Sequence, residues 1–168
     1  LINELFDVAR FNSEKIILEK EKLDLNLMIE QIIDDFYPTL KEMNKKIEYT
    51  HSDNLTIEAD SDKLSRVFNN LLKNAINYSS DGTDITVKSF KKNNEVIVEV
   101  TNKGKQIPKE KLDRIFEKFY RLDYARISKT GGSGLGLAIA KEIVELHNGK
   151  ICAKSNDEFI EFQIELKK

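Results

Sequence analysis

Apolar side chains recur at helical spacing over the first twelve positions, at Leu1, Ile2, Leu5, Phe6 and Ala9. The stripe is already running at Leu1 and stops near Asn12 and Ser13. Residues 1–12 therefore read as the tail of a helix whose packing partners lie upstream, in a longer parent chain. Ile16, Leu18, Leu23 and Leu25 then suggest a short extended crossing. A second helical stripe follows at Ile29, Ile32, Ile33, Phe36, Leu40 and Met43, with Asp24 or Asn26 as its cap. Pro38 lies inside that stripe and predicts a kink.

Two short alternating segments come next, at residues 46–50 and 55–59, separated by the turn-forming Ser52-Asp53-Asn54. Asp60 or Ser61 is placed to cap a third helix with an apolar face of Leu64, Val67, Phe68, Leu71, Leu72, Ala75 and Ile76. Asp81-Gly82 marks a turn. Residues 85–90 and 95–101 alternate strongly around Asn93-Asn94, which predicts a hairpin. Residues 102–133 carry glycines, mixed charges and one apolar knot at 115–119. A connection that long in a compact domain points to a lid or a binding loop. A helix over 135–147 and a hairpin from 151–153 and 159–166 close the chain. The pattern predicts an α+β domain, about three helices on one face of a mixed or antiparallel sheet.

With 40% hydrophobic and 33% charged residues in 168, the composition fits one soluble globular domain. The formal net charge of -2 argues against a nucleic-acid partner but leaves room for a phosphate held by local cations or a helix N-terminus. Cys152 is the single cysteine, so no internal disulfide forms, and its alternation with Ile151 and Ala153 reads as ordinary packing. No apolar run approaches the ~20 residues of a membrane helix.

Four constellations carry candidate chemistry. In Asn70-Leu71-Leu72-Lys73-Asn74-Ala75-Ile76-Asn77-Tyr78, the amides of Asn70 and Asn74 share one helix face, which Asn77 and Tyr78 extend. Amide oxygens suit a hard cation such as Mg²⁺. Taken alone, this reads sooner as a solvated face opposite a leucine stripe. In Gly131-Gly132-Ser133-Gly134-Leu135-Gly136-Leu137, glycines free backbone N–H groups beside a helix N-terminus, an arrangement that attracts phosphate. Alone, it is equally a hinge, and it has neither the Walker pattern nor a βαβ setting. Asn102-Lys103-Gly104-Lys105-Gln106-Ile107-Pro108 ends a strand with a side-chain acceptor that can meet a purine edge, or is a plain turn. Phe116-Glu117-Lys118-Phe119-Tyr120-Arg121 places aromatics and cations in the long loop; Lys118, Arg121, Arg126 and Lys129 can screen phosphate charge.

In this order, the four segments resemble the N, G1, F and G2 boxes of histidine kinases, within the gyrase/Hsp90/histidine-kinase/MutL (GHKL) ATPase superfamily. His147-Asn148-Gly149-Lys150-Ile151 is similar to that family as well. The runs 62–79 and 115–151 look especially similar to the vancomycin-resistance sensor kinases of the VanS type. The resemblance implies the two-layer α/β sandwich of the Bergerat ATP-binding fold, with about five mixed strands on three helices and a long ATP lid. It implies residues 24–168 as the catalytic ATP-binding domain and residues 1–23 as the end of a dimerisation helix plus linker.

The resemblance also assigns roles. Asn74 would hold the Mg²⁺ that bridges the ATP phosphates, with Asn70 supporting it and the Tyr78 ring near the nucleotide. Gly132, Gly134 and Gly136, with Ser133, Leu135 and Leu137 between and after them, would bring backbone amides to the phosphates. Lys118, Phe119, Tyr120 and Arg121 would flank the nucleotide, and Asn102, Gly104 and Ile107 would form the adenine side. Two positions depart from the family pattern: Asn77 stands where a basic residue often contacts phosphate, and Asn102 stands where an aspartate usually receives the adenine amine. Gln106 also replaces a glycine. A neutral acceptor gives roughly half the strength of a charge-assisted one, so ATP affinity is expected to be modest.

Neither His51 nor His147 has the His-Glu or His-Asp helical context of the family's phosphoacceptor. The resemblance therefore implies phosphoryl transfer to a histidine on a separate dimerisation domain, and a chain that does not autophosphorylate alone. It further implies a response regulator as partner, with this domain cytoplasmic in a membrane-bound homodimeric parent. Two other readings stay open: a nucleotide-binding module without catalysis, and an anti-sigma-type serine kinase of the same superfamily. A self-contained gyrase-like ATPase is disfavoured, because its water-activating glutamate would stand where Asn70 does.

Overall fold

A computed structural model describes residues 17–122 and 133–168. The expected helix at 1–12, Ile16, and lid residues 123–132, with Arg126, Lys129 and Gly132, lie outside the described residues.

The first strand, β1 (Glu21–Asp24), runs antiparallel to β3 (Thr56–Ala59), pairing Leu23 with Ile57. Of the crossing expected from Ile16 to Leu25, residues 21–24 form this paired strand, which ends before Leu25. Leu25 instead opens helix α1 (Leu25–Asp35), because the Asp24 carboxylate accepts a hydrogen bond from Leu27 N–H at 3.2 Å. The single kinked helix expected around Pro38 is two helices. Helix α1 ends at Phe36, and α2 (Tyr37–Glu42) begins with Pro38 in its first turn, where a missing N–H leaves no hydrogen bond unmade.

Strand β2 (Ile47–His51) lies parallel to β4 (Ile85–Lys92). Between them comes α3 (Ser61–Tyr78), whose N-cap Asp60 accepts from Lys63 N–H at 3.1 Å. β4 and β5 (Glu95–Asn102) form the expected hairpin, and Asn93 takes the left-handed conformation (φ 55°) that its two-residue turn requires. Helix α4 (Gly136–Leu146) leads into β6 (Lys150–Ser155) and β7 (Ile160–Lys167), which pair antiparallel. The main sheet has the order β2-β4-β5-β7-β6, mixed as expected.

Period-2 alternation decides which sheet face is covered. Ile85 and Val87, Val96, Val98 and Val100, and Phe162, Ile164 and Leu166 are buried in one core with Phe68, Leu71, Leu72 and Ala75 of α3 and Ile139, Ile143 and Val144 of α4. The other face carries charge; there Lys154 bonds Glu161 at 3.3 Å and Gln163 at 3.0 Å. Cys152 lies half-buried in β6. Among the described residues, no helix is long and apolar enough to cross a membrane.

Candidate functional site

Helix α3 buries its leucine stripe and turns its amides the other way. Asn70, Lys73, Asn74, Asn77 and Tyr78 line one open cleft. Across from them, Ser133, Gly134, Gly136 and Leu137 bring the start of α4 to the same space. Asn70 spans the two sides by donating from Nδ2 to the Gly136 carbonyl at 3.0 Å. A Cβ added at Gly136 would lie 3.6 Å from Asn70 Cγ, an ordinary contact, so the two sides pack against each other here without demanding a glycine. Ile107, Ile115 and Tyr120–Leu122, together with Ile160 and Phe162 of β7, complete the lining among the described residues.

The chemistry of this lining is divided. The α3 side offers neutral amide oxygens and the Lys73 ammonium. The α4 side offers backbone N–H groups at a helix N-terminus, where the macrodipole favours an anion. Ile107, Ile115, Ile160 and Phe162 give an apolar bed for a flat heterocycle. Arg121 adds a cation, and Arg114 stacks over the Tyr120 ring at 4.5 Å, which fixes that ring at the cleft edge. A nucleotide needs these three provinces. The amide row suits Mg²⁺, which shares its shell between a few protein oxygens, phosphate oxygens and water. Among the described residues there is no cluster of three or more His, Cys, Asp or Glu side chains to make a dedicated metal cage.

Several expected residues sit beside the cleft rather than on it. Asn102 is 2% exposed at the end of β5, and its Nδ2 lies 3.4 Å from the Lys103 carbonyl. Gly104 presses against the end of α3: an added Cβ would stand 2.5 Å from the Tyr78 carbonyl. Lys118 faces α4, pairing with Glu142 at 2.8 Å. Phe119 is 57% exposed, takes a left-handed backbone (φ 63°) and donates its N–H to the Gly134 carbonyl at 3.0 Å. Leu135 is fully buried and packs in the core. Both histidines lie outside the cleft: His51 pairs with Glu30 at 3.3 Å, and His147 is buried against Asp60.

Lys73, Ile115, Leu122, Ile160 and Phe162 were not among the residues expected from the sequence. Lys73 had a readable signal, since it lies three residues from Asn70 on the same helix face. Ile160 and Phe162 had none, because only the β5–β7 register sets them opposite Asn102 and Val100.

A mixed sheet under two long helices, with an amide row facing a glycine-led helix start, defines a nucleotide-binding domain of the two-layer α/β sandwich class. A family model for "Histidine kinase-, DNA gyrase B-, and HSP90-like ATPase" matches residues 59–168. The chain belongs to that family, as a histidine kinase catalytic domain, and ATP binding comes with the family. Sensor protein VanS of Enterococcus faecium is 49% identical over 166 residues, 99% of this chain and 43% of VanS. The chain thus spans less than half the length of that relative. The solved catalytic domain of the histidine kinase ThkA is 30% identical with a TM-score of 0.80, covering 90% of this chain and 97% of that one. ThkA in complex with the response regulator TrrA gives a TM-score of 0.84 at 27% identity, over 99% of this chain and 47% of that one.

Proposed function

We propose that this domain binds Mg²⁺–ATP in the α3–α4 cleft and presents the γ-phosphate to a histidine on a separate dimerisation domain. The observation that carries this reading is the Asn70–Asn74–Asn77 row set against the N-terminus of α4, with Asn70 bonded to Gly136. Asn74 holds the metal, and Asn70 braces the helix start that receives the phosphates. Tyr78 and the apolar bed take the base side, with Asn102 behind it as the acceptor for the exocyclic amine. When bound, Mg²⁺ would supply neutralisation of phosphate charge. Phosphoryl transfer depends chiefly on such positioning and neutralisation, which fits a domain that supplies the nucleotide while the dimerisation domain supplies the nucleophile.

The identity with VanS supports glycopeptide-resistance signalling by the whole protein, as a membrane-bound homodimer with this domain on the cytoplasmic side. Residues 1–23 would then join the domain to the dimerisation helix, and a response regulator would receive the phosphoryl group, as the ThkA–TrrA complex suggests. Asn70 offers no carboxylate to activate water, which separates this reading from a self-contained ATPase.

Calorimetry with Mg²⁺–ATP is expected to show binding at micromolar to millimolar nucleotide. Asn74→Ala should weaken it about tenfold or more, as the loss of one metal ligand oxygen implies. Absence of binding to the unaltered chain at millimolar nucleotide would sink the proposal, and unchanged affinity in Asn74→Ala would remove Asn74 from the metal.

A further inference from the structure

Lys45 is a buried lysine, 7% exposed, far from any surface role for its charge. It enters the interior because the chain turns sharply after α2. Asn44 takes a left-handed conformation (φ 50°), and the Lys45 N–H returns to the Leu40 carbonyl at 2.9 Å. The side chain then reaches the far end of α3. Its ammonium donates to the Ile76 carbonyl at 2.9 Å, the Ser79 carbonyl at 3.0 Å and Ser79 Oγ at 2.7 Å. Ser79 Oγ in turn donates to the Ile76 carbonyl at 3.1 Å. All three ammonium donors are engaged, so the buried charge is fully coordinated.

The Ile76 carbonyl belongs to the last turn of α3, where a helix leaves carbonyls unpaired and the macrodipole is negative, and the other two acceptors are on Ser79, its C-cap. Helix α3 has no basic residue of its own in its last turn. Burial pulls the Lys45 pKa down, and Asp81 in the following turn pushes it back up. The same short stretch builds one end of the cleft. Asn77 and Tyr78 line the cleft, Ser79 bridges to Gly104, and Ser80 N–H donates to the Lys103 carbonyl at 2.8 Å.

We infer that Lys45 is a positioning residue for the nucleotide site: from behind, it clamps the last turn of α3 and so sets Asn77, Tyr78 and the Gly104 turn for the base side of the ligand. The inference rests on the ATP reading above for its ligand, while the clamp itself can be tested without one.

The test uses the whole chain with Lys45→Met, Lys45→Arg and, as a control for general destabilisation, Ile57→Ala on β3. Two measurements are made: Mg²⁺–ATP affinity by calorimetry, and amide hydrogen exchange without nucleotide. Lys45→Met should weaken affinity about tenfold, the scale of a lost charged hydrogen-bond set, and should speed exchange at Ser79 and Ser80. Lys45→Arg should recover part of the affinity, because it restores charge and donors. Ile57→Ala should lower Tm yet keep affinity within about twofold, since Ile57 lies in the small β1–β3 sheet and does not line the cleft. If Lys45→Met does not fold, Ser79→Ala removes one acceptor and should still speed exchange at Ser80 and weaken binding by about threefold. Unchanged exchange in the variants overturns the clamp. Altered exchange with unchanged affinity overturns its link to the site. Loss of affinity matched by Ile57→Ala reduces Lys45 to a core residue. If the unaltered chain binds no nucleotide, the ATP reading fails, and exchange alone then decides the clamp.

Discussion

Asn102 ends β5 with a neutral amide, and its burial makes the choice consequential. Without nucleotide, a carboxylate there would be a desolvated charge beside the Lys103 carbonyl. With nucleotide, it would receive a charge-assisted bond from the adenine amine. Asn102→Asp should therefore tighten Mg²⁺–ATP binding by up to about tenfold while lowering the Tm of the free domain. Unchanged or weaker binding in calorimetry would count against Asn102 as the adenine reader.

His147 makes a different residue-level argument. Its Nδ1 donates to the Ile143 carbonyl at 2.8 Å, so its Nε2 accepts the Asp60 N–H at 3.0 Å, and only the neutral ring can do both. Burial holds its pKa below the ordinary 6.5; the Ile143 carbonyl and Asp60 push up against Lys20 and Lys63. The unfolded chain thus takes up the proton first, and this contribution to stability is complete above 6.5 and lost as pH falls from there through the lower folded-state value. Thermal melts should show the domain losing Tm from pH 7.5 to about 5.5, with a smaller loss in His147→Gln. An equal loss in both would assign the slope to other groups.

Among the elements, α3 is the one the site depends on. It carries the amide row on one face and Phe68, Leu71 and Leu72 in the core on the other. Its N-terminus is fixed by Asp60, which also accepts from Glu19 N–H at 3.1 Å and from Lys63 Nζ at 2.7 Å. Burial pushes the Asp60 pKa up, but the bonds from Lys63 and Glu19 outweigh it and hold the carboxyl below 3.8. Asp60 thus ties the segment before β1 to the helix that bears the site. Asp60→Ala should cost about 1–2 kcal/mol in urea unfolding, the range of a lost N-cap, and should free the Glu19 amide to exchange. A loss below about 0.3 kcal/mol would show the cap to be dispensable. The period of α3 and its cap were readable in the sequence, as was the row of asparagines. The break between α1 and α2 was not, because Pro38 is compatible with both a kink and a fresh start.

At the scale of the whole molecule, the cleft holds nucleotide-compatible chemistry, while His51 and His147 are occupied elsewhere. Labelled ATP should therefore leave no acid-labile phosphate on this chain alone. Phosphorylation of either histidine would overturn the assignment of the acceptor to a separate domain. The sequence by itself determined most of the elements, narrowed two helix caps to a pair of residues each, and gave the order of the four motifs, since these rest on periodicity and on contacts within a few residues. Only the tertiary structure decided that β2 runs parallel to β4, that Ile160 and Phe162 bed the cleft, and that Lys118 turns to Glu142. It alone joins Asp60 to His147 across 87 positions and Lys45 to Ser79 across 34. The physical reason is that strand register and buried donor–acceptor pairing are satisfied only when distant segments meet, and local pattern carries no record of the partner.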